Sequence, residues 1–234
     1  MKIQVIASGS AGNCYHVTDG KTEFLIEAGV RIRDIQEALG YQMILLDGCL
    51  ISHEHGDHIK AAKQLAAKGI NIYGSQGTFE AANLKGHRFR KVEAKKPFLV
   101  GTTIKVTPID VEHDAAEPLA FIIYSTITKK TLLYVTDTQY VRYRIPEVNI
   151  LLAECNYDKD TIMKNIAERR IPLVAANRVF KSHMSLDALL AMIKTVDADN
   201  LEEIWLLHMS NKNANQERIV KEVRRLTGAR VEVA

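Results

Sequence analysis

Several things are scarce in this 234-residue chain, and each scarcity excludes something. There is no Gly/Ser linker, no Pro-rich hinge and no low-complexity block, so nothing divides the chain and one domain, residues 1–234, is expected. Cysteine is rare: Cys14, Cys49 and Cys155 are odd in number and scattered. That excludes a disulfide framework and reads as free thiols in a reducing cytoplasm. Cys14 and Cys155 are expected as small buried residues rather than nucleophiles. No apolar run is long enough to span a bilayer, and Met1 to Ala7 does not read as a signal peptide, so no membrane partner is expected. A strong charge of one sign is also lacking. The net charge of +3 neither demands nor excludes nucleic acid. Locally the balance differs: "KGHRFRKVEAKK", Lys85 to Lys96, carries six Lys/Arg against one Glu. It reads either as a solvated edge strand defended by lysines or as a contact for a phosphate backbone.

What is present is a set of short apolar runs rich in β-branched residues, among them "KIQVIA", "TEFLIEAG", "LAFIIYS" and "VNILLAE". These predict strands. Helical patterns lie between them. "HIKAAKQLAAKG" presents Ile59, Ala62 and Ala66 on one face and stops at Gly69. "SLDALLAMIK" starts at a Ser185 cap, and "NQERIVKEVRRLTG" lines up Ile219, Val223 and Leu226 before Gly228. The order of elements suggests two sheets of mixed pairing covered by helices.

Five apolar strands run out into metal-ligand residues: "CLIS" into His53, "TPIDVE" into His113, "TLLYVT" into Asp137, "VNILLA" into Glu154 and "EIWLL" into His208. Strands packed in one core deliver their ends to one rim, so residues distant in sequence can meet there. The densest segment is "SHEHGDH", which holds three of the chain's eight histidines within six positions. His53 and His55, two apart, point to the same side of an extended strand end. Gly56 is expected to allow a sharp bend that a β-carbon would resist, after which Asp57 opens a helix and His58 follows. Imidazole with carboxylate and no cysteine suits zinc, iron or manganese in an open catalytic site. In this reading His113 could complete a first ion's ligands and His208 a second's, with Asp137 between them. His16 and His87 lack such company and are expected to be structural or surface residues.

"SHEHGDH" with the later His, strand-end Asp and final strand-end His resembles the metallo-β-lactamase fold of dinuclear hydrolases along nearly the whole chain. The resemblance implies an α+β architecture, an αββα sandwich of two mixed sheets flanked by helices. It implies that His53, His55 and His113 hold one divalent ion, that Asp57, His58 and His208 hold the other, and that Asp137 bridges. Zinc or manganese would be the cofactor. Within that fold "ASGSAGNCYHV", "LLAECNYD", "SHMSLDALLAMI" and "LLHMSNKNANQ" are similar to the YycJ/WalJ branch, which is associated with exonuclease activity on DNA and related to the β-CASP nucleases. Glu154 and His183 resemble the acidic and histidine motifs that those nucleases add to the ligands. Three departures are visible. Glu27 stands where the family usually has Asp, one methylene longer. "SHMSLD" replaces the commoner Gly-His-Leu-Ser-Asn. Only Cys155 to Ser182 separates Glu154 from His183, too little for a β-CASP domain.

The expected function is therefore a metal-dependent phosphodiesterase, a DNA exonuclease in which a metal-activated water attacks phosphorus. The candidate catalytic residues are Asp57, Glu154 and His183. Ser10, Asn13 and His183 are candidate substrate contacts. A nucleic acid, DNA first, is the expected partner, and the oligomeric state stays open. The alternative is a hydrolase of a small ester, lactone, thioester or cyclic phosphodiester, for which the basic run would be idle. A metal-holding interaction protein is the third reading, disfavoured because binding alone needs no open coordination position.

Overall fold

The computed structural model describes residues 1–145, 147–196 and 200–234. These form two compact units. Unit 1 comprises Met1–Asp110 and Ala115–Lys130, and unit 2 comprises Val111–Asp114 and Thr131–Ala234.

Unit 1 is built on six strands: β1 (Lys2–Ala7), β2 (Cys14–Thr18), β3 (Glu23–Ile26), β4 (Gly48–Leu50), β5 (Ile72–Gly74) and β6 (Phe89–Lys91). They lie in that spatial order. The first three pair antiparallel and β3 to β6 pair parallel, so the sheet is mixed as expected. Ile26 pairs with Leu50, and Leu50 with Tyr73. Its central strands are buried on both faces. That is why "FLI" and "CLI" read as unbroken apolar runs rather than alternating ones. Helices α1 (Ile32–Ala38), α2 (Gly56–Ile59), α3 (Ala62–Ala67) and α4 (Gln76–Ala81) accompany them. A core of Leu25, Ile35, Ile51, Leu65, Ile72 and Phe79 forms among them, each such side chain contributing about 1.5–3 kcal/mol by burial. Strands β7 (Phe98–Val100), β8 (Ile104–Asp110) and β9 (Leu119–Ser125) add an antiparallel group.

The helix expected from His58 to Lys68 is broken into α2 and α3. The Ala61 N–H donates to the Ala28 carbonyl at 2.8 Å. That tertiary bond ties the segment to the end of β3 and interrupts the helical periodicity. The basic run contributes β6, the sheet's edge, with Lys91 exposed. Lys96 pairs with Glu93 at 2.6 Å and Lys95 with Asp110 at 3.9 Å. His16 lies in β2 against Glu23, its Nε2 3.2 Å from Oε2, and His87 is exposed.

Unit 2 carries four parallel strands, β10 (Thr131–Val135), β11 (Ile150–Glu154), β12 (Glu203–Leu207) and β13 (Arg230–Val233), in the order β13-β12-β11-β10. Four helices are α5 (Lys159–Ala167), α6 (Leu173–Ser182), α7 (Leu186–Ile193) and α8 (Gln216–Thr227); α7 and α8 follow the expected signals, and α5 and α6 were not expected. The Ser185 hydroxyl caps α7 by accepting from the Ala188 N–H at 3.1 Å. Gly228 ends α8 with a φ of 67°. Among the described residues, no helix is long and apolar enough to cross a membrane.

Candidate metal and catalytic site

In unit 1 the chain leaves β4 and presents Ser52 to His58 as a tight loop. His53 and His58 are almost wholly buried. Nε2 of His53 lies 3.0 Å from Nδ1 of His55, and the His53 and His58 rings are 4.1 Å apart. Nε2 of His58 is 3.5 Å from the Asp57 carboxylate. Bonds of 2.0–2.1 Å to a shared cation place two nitrogens roughly 3.3 Å apart, so the His53/His55 spacing fits a pair of ligands.

Three residues hold this loop from beneath. Glu27, at the end of β3, is fully buried. Its carboxylate accepts from the Ser52 N–H at 3.2 and 3.3 Å and lies 3.6 Å from Nδ1 of His58. The extra methylene relative to Asp thus still brings the charge to the loop. Asn13 is also fully buried. Its Oδ1 accepts from the Gly9 N–H at 2.9 Å, and its Nδ2 reaches the Asp57 carbonyl and His58 Nε2, each at 3.3 Å. The amide is thus spent on the loop, whereas Ser10 of the same segment is exposed. The third is Gly29, where a β-carbon would sit 1.6 Å from the Asp57 carbonyl oxygen. This corrects the expectation for Gly56. A β-carbon at Gly56 would meet nothing within 4 Å, and Gly56 does not carry a positive φ. The glycine that the loop requires is Gly29.

In unit 2 the donors come from separate segments. Asp137 and His208 stand just beyond β10 and β12, and Glu154 is the last residue of β11. His183 caps the C-terminal end of α6. One ligand atom from each of Asp137, Glu154, His183 and His208 lies within 4.8 Å of the others. Asp137 Oδ1 is 2.7 Å from His208 Nδ1, and Oδ2 is 3.7 Å from His113 Nε2. Glu154, fully buried, places Oε1 2.6 Å from His183 Nδ1 and 3.2 Å from His208 Nδ1, while Oε2 accepts from the Met184 N–H.

Electrostatics follow from this packing. Burial opposes a charged His208 ring, but its hydrogen bonds with Asp137 and Glu154 outweigh that and lift its pKa to about 10. Burial likewise opposes the His183 imidazolium, and Glu154 raises its pKa nonetheless. The donor set of imidazoles and carboxylates is dense in acid and fits a divalent cation, whose binding displaces such protons. Asp137 and His208 hold φ values of 47° and 50°, and Glu27 one of 63°. Left-handed backbone in residues with side chains costs of order 1–3 kcal/mol each and concentrates where a site imposes it. The thiols of Cys14 and Cys155 are buried, and burial pushes their pKa values up, which fits small buried residues.

Sequence reasoning missed three features. Asn156 donates from Nδ2 to the His208 carbonyl at 2.9 Å. Nothing in "AECNYD" distinguishes it from an ordinary turn asparagine. Glu112 and Asp114, the neighbours of His113, pair with Arg142 and Arg178 respectively. Gly29 follows a strand like many glycines that matter less.

Residues 22–209 match the family model of the Beta-lactamase superfamily domain, and the chain belongs to that family. Its fold is the metallo-β-lactamase fold, two mixed β-sheets flanked by helices. The relatives lie within one branch. The chain is 31% identical to Exodeoxyribonuclease YycJ of Bacillus anthracis, over 93% of this chain and 85% of that one. It is 29% identical to Exodeoxyribonuclease WalJ of Streptococcus pneumoniae, over 91% and 82%. Among solved structures, the metallo-β-lactamase fold protein YhfI from Bacillus subtilis superposes with a TM-score of 0.75 at 21% identity, covering 99% of this chain and 95% of that one.

Proposed function

We propose that this chain is a metal-dependent phosphodiesterase, and specifically an exonuclease acting on DNA. The family and the named relatives support the hydrolase class and the nucleic-acid substrate. The observation that carries the reading is the 2.6 Å contact between Glu154 and His183 beside Asp137 and His208.

His53, His55, Asp57, His58, His113, Asp137 and His208 are the proposed ligands, and two ions of zinc or manganese the proposed cofactor. When bound, divalent cations neutralise the phosphate oxygens and make water acidic enough to attack at neutral pH. The chain's own groups do the rest. Asp57, partly exposed, orients the attacking water. Glu154 holds Nδ1 of His183, fixes its tautomer and favours the imidazolium. Nε2 of His183, on the most exposed ring of its cluster, then donates to a phosphate oxygen or protonates the leaving alkoxide. General acid assistance of this kind is worth about a hundredfold to ten-thousandfold. Ser10, exposed in the amino-terminal loop, is a proposed substrate contact. The family match runs through segments of both units, which supports treating 1–234 as one catalytic domain.

The test is a substrate panel on purified, metal-loaded protein: single- and double-stranded DNA, RNA, bis-p-nitrophenyl phosphate and a lactone. Release of nucleotides from DNA ends is expected. Hydrolysis of the lactone or the small diester without any polymer would replace this reading with that of a small-ester hydrolase.

A further inference from the structure

The segment just past Asp137, "TQYVRYR" (Thr138–Arg144), plays no part in ligation or proton transfer, yet it is pinned beside the site. The Gln139 side-chain N–H donates to the Lys181 carbonyl, two residues before His183. The Thr138 hydroxyl donates to the Tyr140 carbonyl at 3.1 Å and shapes the turn. From Tyr140 to Arg144 exposure alternates: Tyr140, Arg142 and Arg144 are exposed, Val141 and Tyr143 half-buried. Tyr140 leaves 43% of its surface in solvent, in a protein whose aromatics are few and, Tyr41 apart, otherwise buried or half-buried. Three residues of chain span at most about 11 Å, which bounds the separation of the Tyr140 and Asp137 Cα atoms. Arg142 and Arg178 are held by Glu112 and Asp114, the two neighbours of His113.

We propose that this segment is a binding strip for a single strand of nucleic acid, feeding the end of the chain to the phosphodiesterase centre. The proposal rests on the function proposed above and narrows its substrate to an unpaired end. An exposed tyrosine followed at alternate positions by two exposed arginines, Arg142 and Arg144, is chemistry that single strands use: the ring stacks on a base and guanidinium groups neutralise neighbouring phosphates. A duplex offers only its phosphates to such a strip, because its base faces are already stacked on one another. Arginine suits the role because its planar fork meets phosphate oxygens in pairs.

The experiment compares wild type, Tyr140→Ala, Tyr140→Phe and Arg144→Ala as full-length, metal-loaded protein. Binding of a short phosphorothioate oligothymidylate and of a blunt duplex is measured by fluorescence anisotropy across a salt series. Turnover of bis-p-nitrophenyl phosphate is followed in parallel. Tyr140→Ala is expected to bind the single strand about tenfold more weakly, the loss of one base stack, while Tyr140→Phe binds as wild type does. Arg144→Ala should lower the slope of log affinity against log salt by roughly 0.7, one phosphate contact on a single strand. Turnover of the small diester should be unchanged in all three variants. Tighter binding of the blunt duplex by wild type, unchanged strand binding in Tyr140→Ala, or equal losses in the Phe and Ala variants would overturn the strip. Should Tyr140→Ala fail to fold, Arg144→Ala decides alone, and an unchanged slope overturns the proposal. If DNA is hydrolysed while the strip tests fail, the nuclease reading stands without it. Hydrolysis of neither DNA nor the small diester sinks the nuclease reading itself.

Discussion

The two groups of donors differ in how the chain builds them. In unit 1, His53, His55, Asp57 and His58 come from one short loop beyond β4. In unit 2, His113, Asp137, Glu154, His183 and His208 come from five separate segments, four of them placed by strand ends or a helix terminus. Both groups rest on a fully buried glutamate. Glu27 anchors the loop through the Ser52 N–H and stays 3.6 Å from its histidine, whereas Glu154 touches His183 at 2.6 Å. Both carboxylates also hold backbone, Glu27 at the Ser52 N–H and Glu154 at the Met184 N–H. They differ in the imidazole contact, which only Glu154 makes at hydrogen-bond length and to a partly exposed ring.

The comparison breaks most visibly at Asp137, whose two oxygens face His208 and His113. Asp137→Ala should cost several kcal/mol of transition-state stabilisation, roughly a thousandfold in turnover of every substrate. Activity within about tenfold of wild type would show that Asp137 is no ligand. Next in size is His183→Ala. It should retain its metals and its fold yet lose roughly a hundredfold on DNA, with partial rescue on a diester whose leaving group needs no proton. Loss of metal in that variant would reassign His183 to ligation. A smaller effect is expected at the glutamate of unit 1. Glu27→Gln should weaken metal affinity by about tenfold, as removal of a support behind a ligating histidine does, and titration with a metal indicator reads it directly. The same change at Glu154 should lower turnover on DNA more than metal affinity; the reverse ranking would erase the distinction between the two glutamates. The smallest effect belongs to the sheet edge. Reversing Lys91, Lys95 and Lys96 to Glu should flatten the salt dependence of DNA binding and leave small-diester turnover alone. With Lys95 and Lys96 already paired to Asp110 and Glu93, an unchanged salt slope would make the run a defended edge and nothing more.

The same contrast explains what was legible in the sequence. The unit 1 motif could be read directly because its spacing is local, and Asp57 and His58 do lie on a short helix as expected. Of the unit 2 donors, His113, Asp137, Glu154 and His208 were legible only as strand ends, since a parallel sheet presents the ends of its strands together, and His183, at the end of α6, only through the family resemblance of its segment. Features that arise from tertiary approach were not legible. The break between α2 and α3 depends on a bond to Ala28, and the need for glycine at position 29 depends on the Asp57 carbonyl. Gly56 drew attention by lying inside the motif, where the backbone makes no special demand of it. The buried amide of Asn13 looks like turn chemistry in "SGSAGN", because sequence records a residue's type and not whether its polar atoms face the loop or the solvent.

Elemental analysis of the purified protein after loading with zinc or manganese tests the central claim most directly. The account predicts about two ions per chain, the number a two-cation mechanism uses, falling to about one in His53→Ala and in Asp57→Ala. A wild-type protein that retains no divalent ion under any loading condition would contradict it.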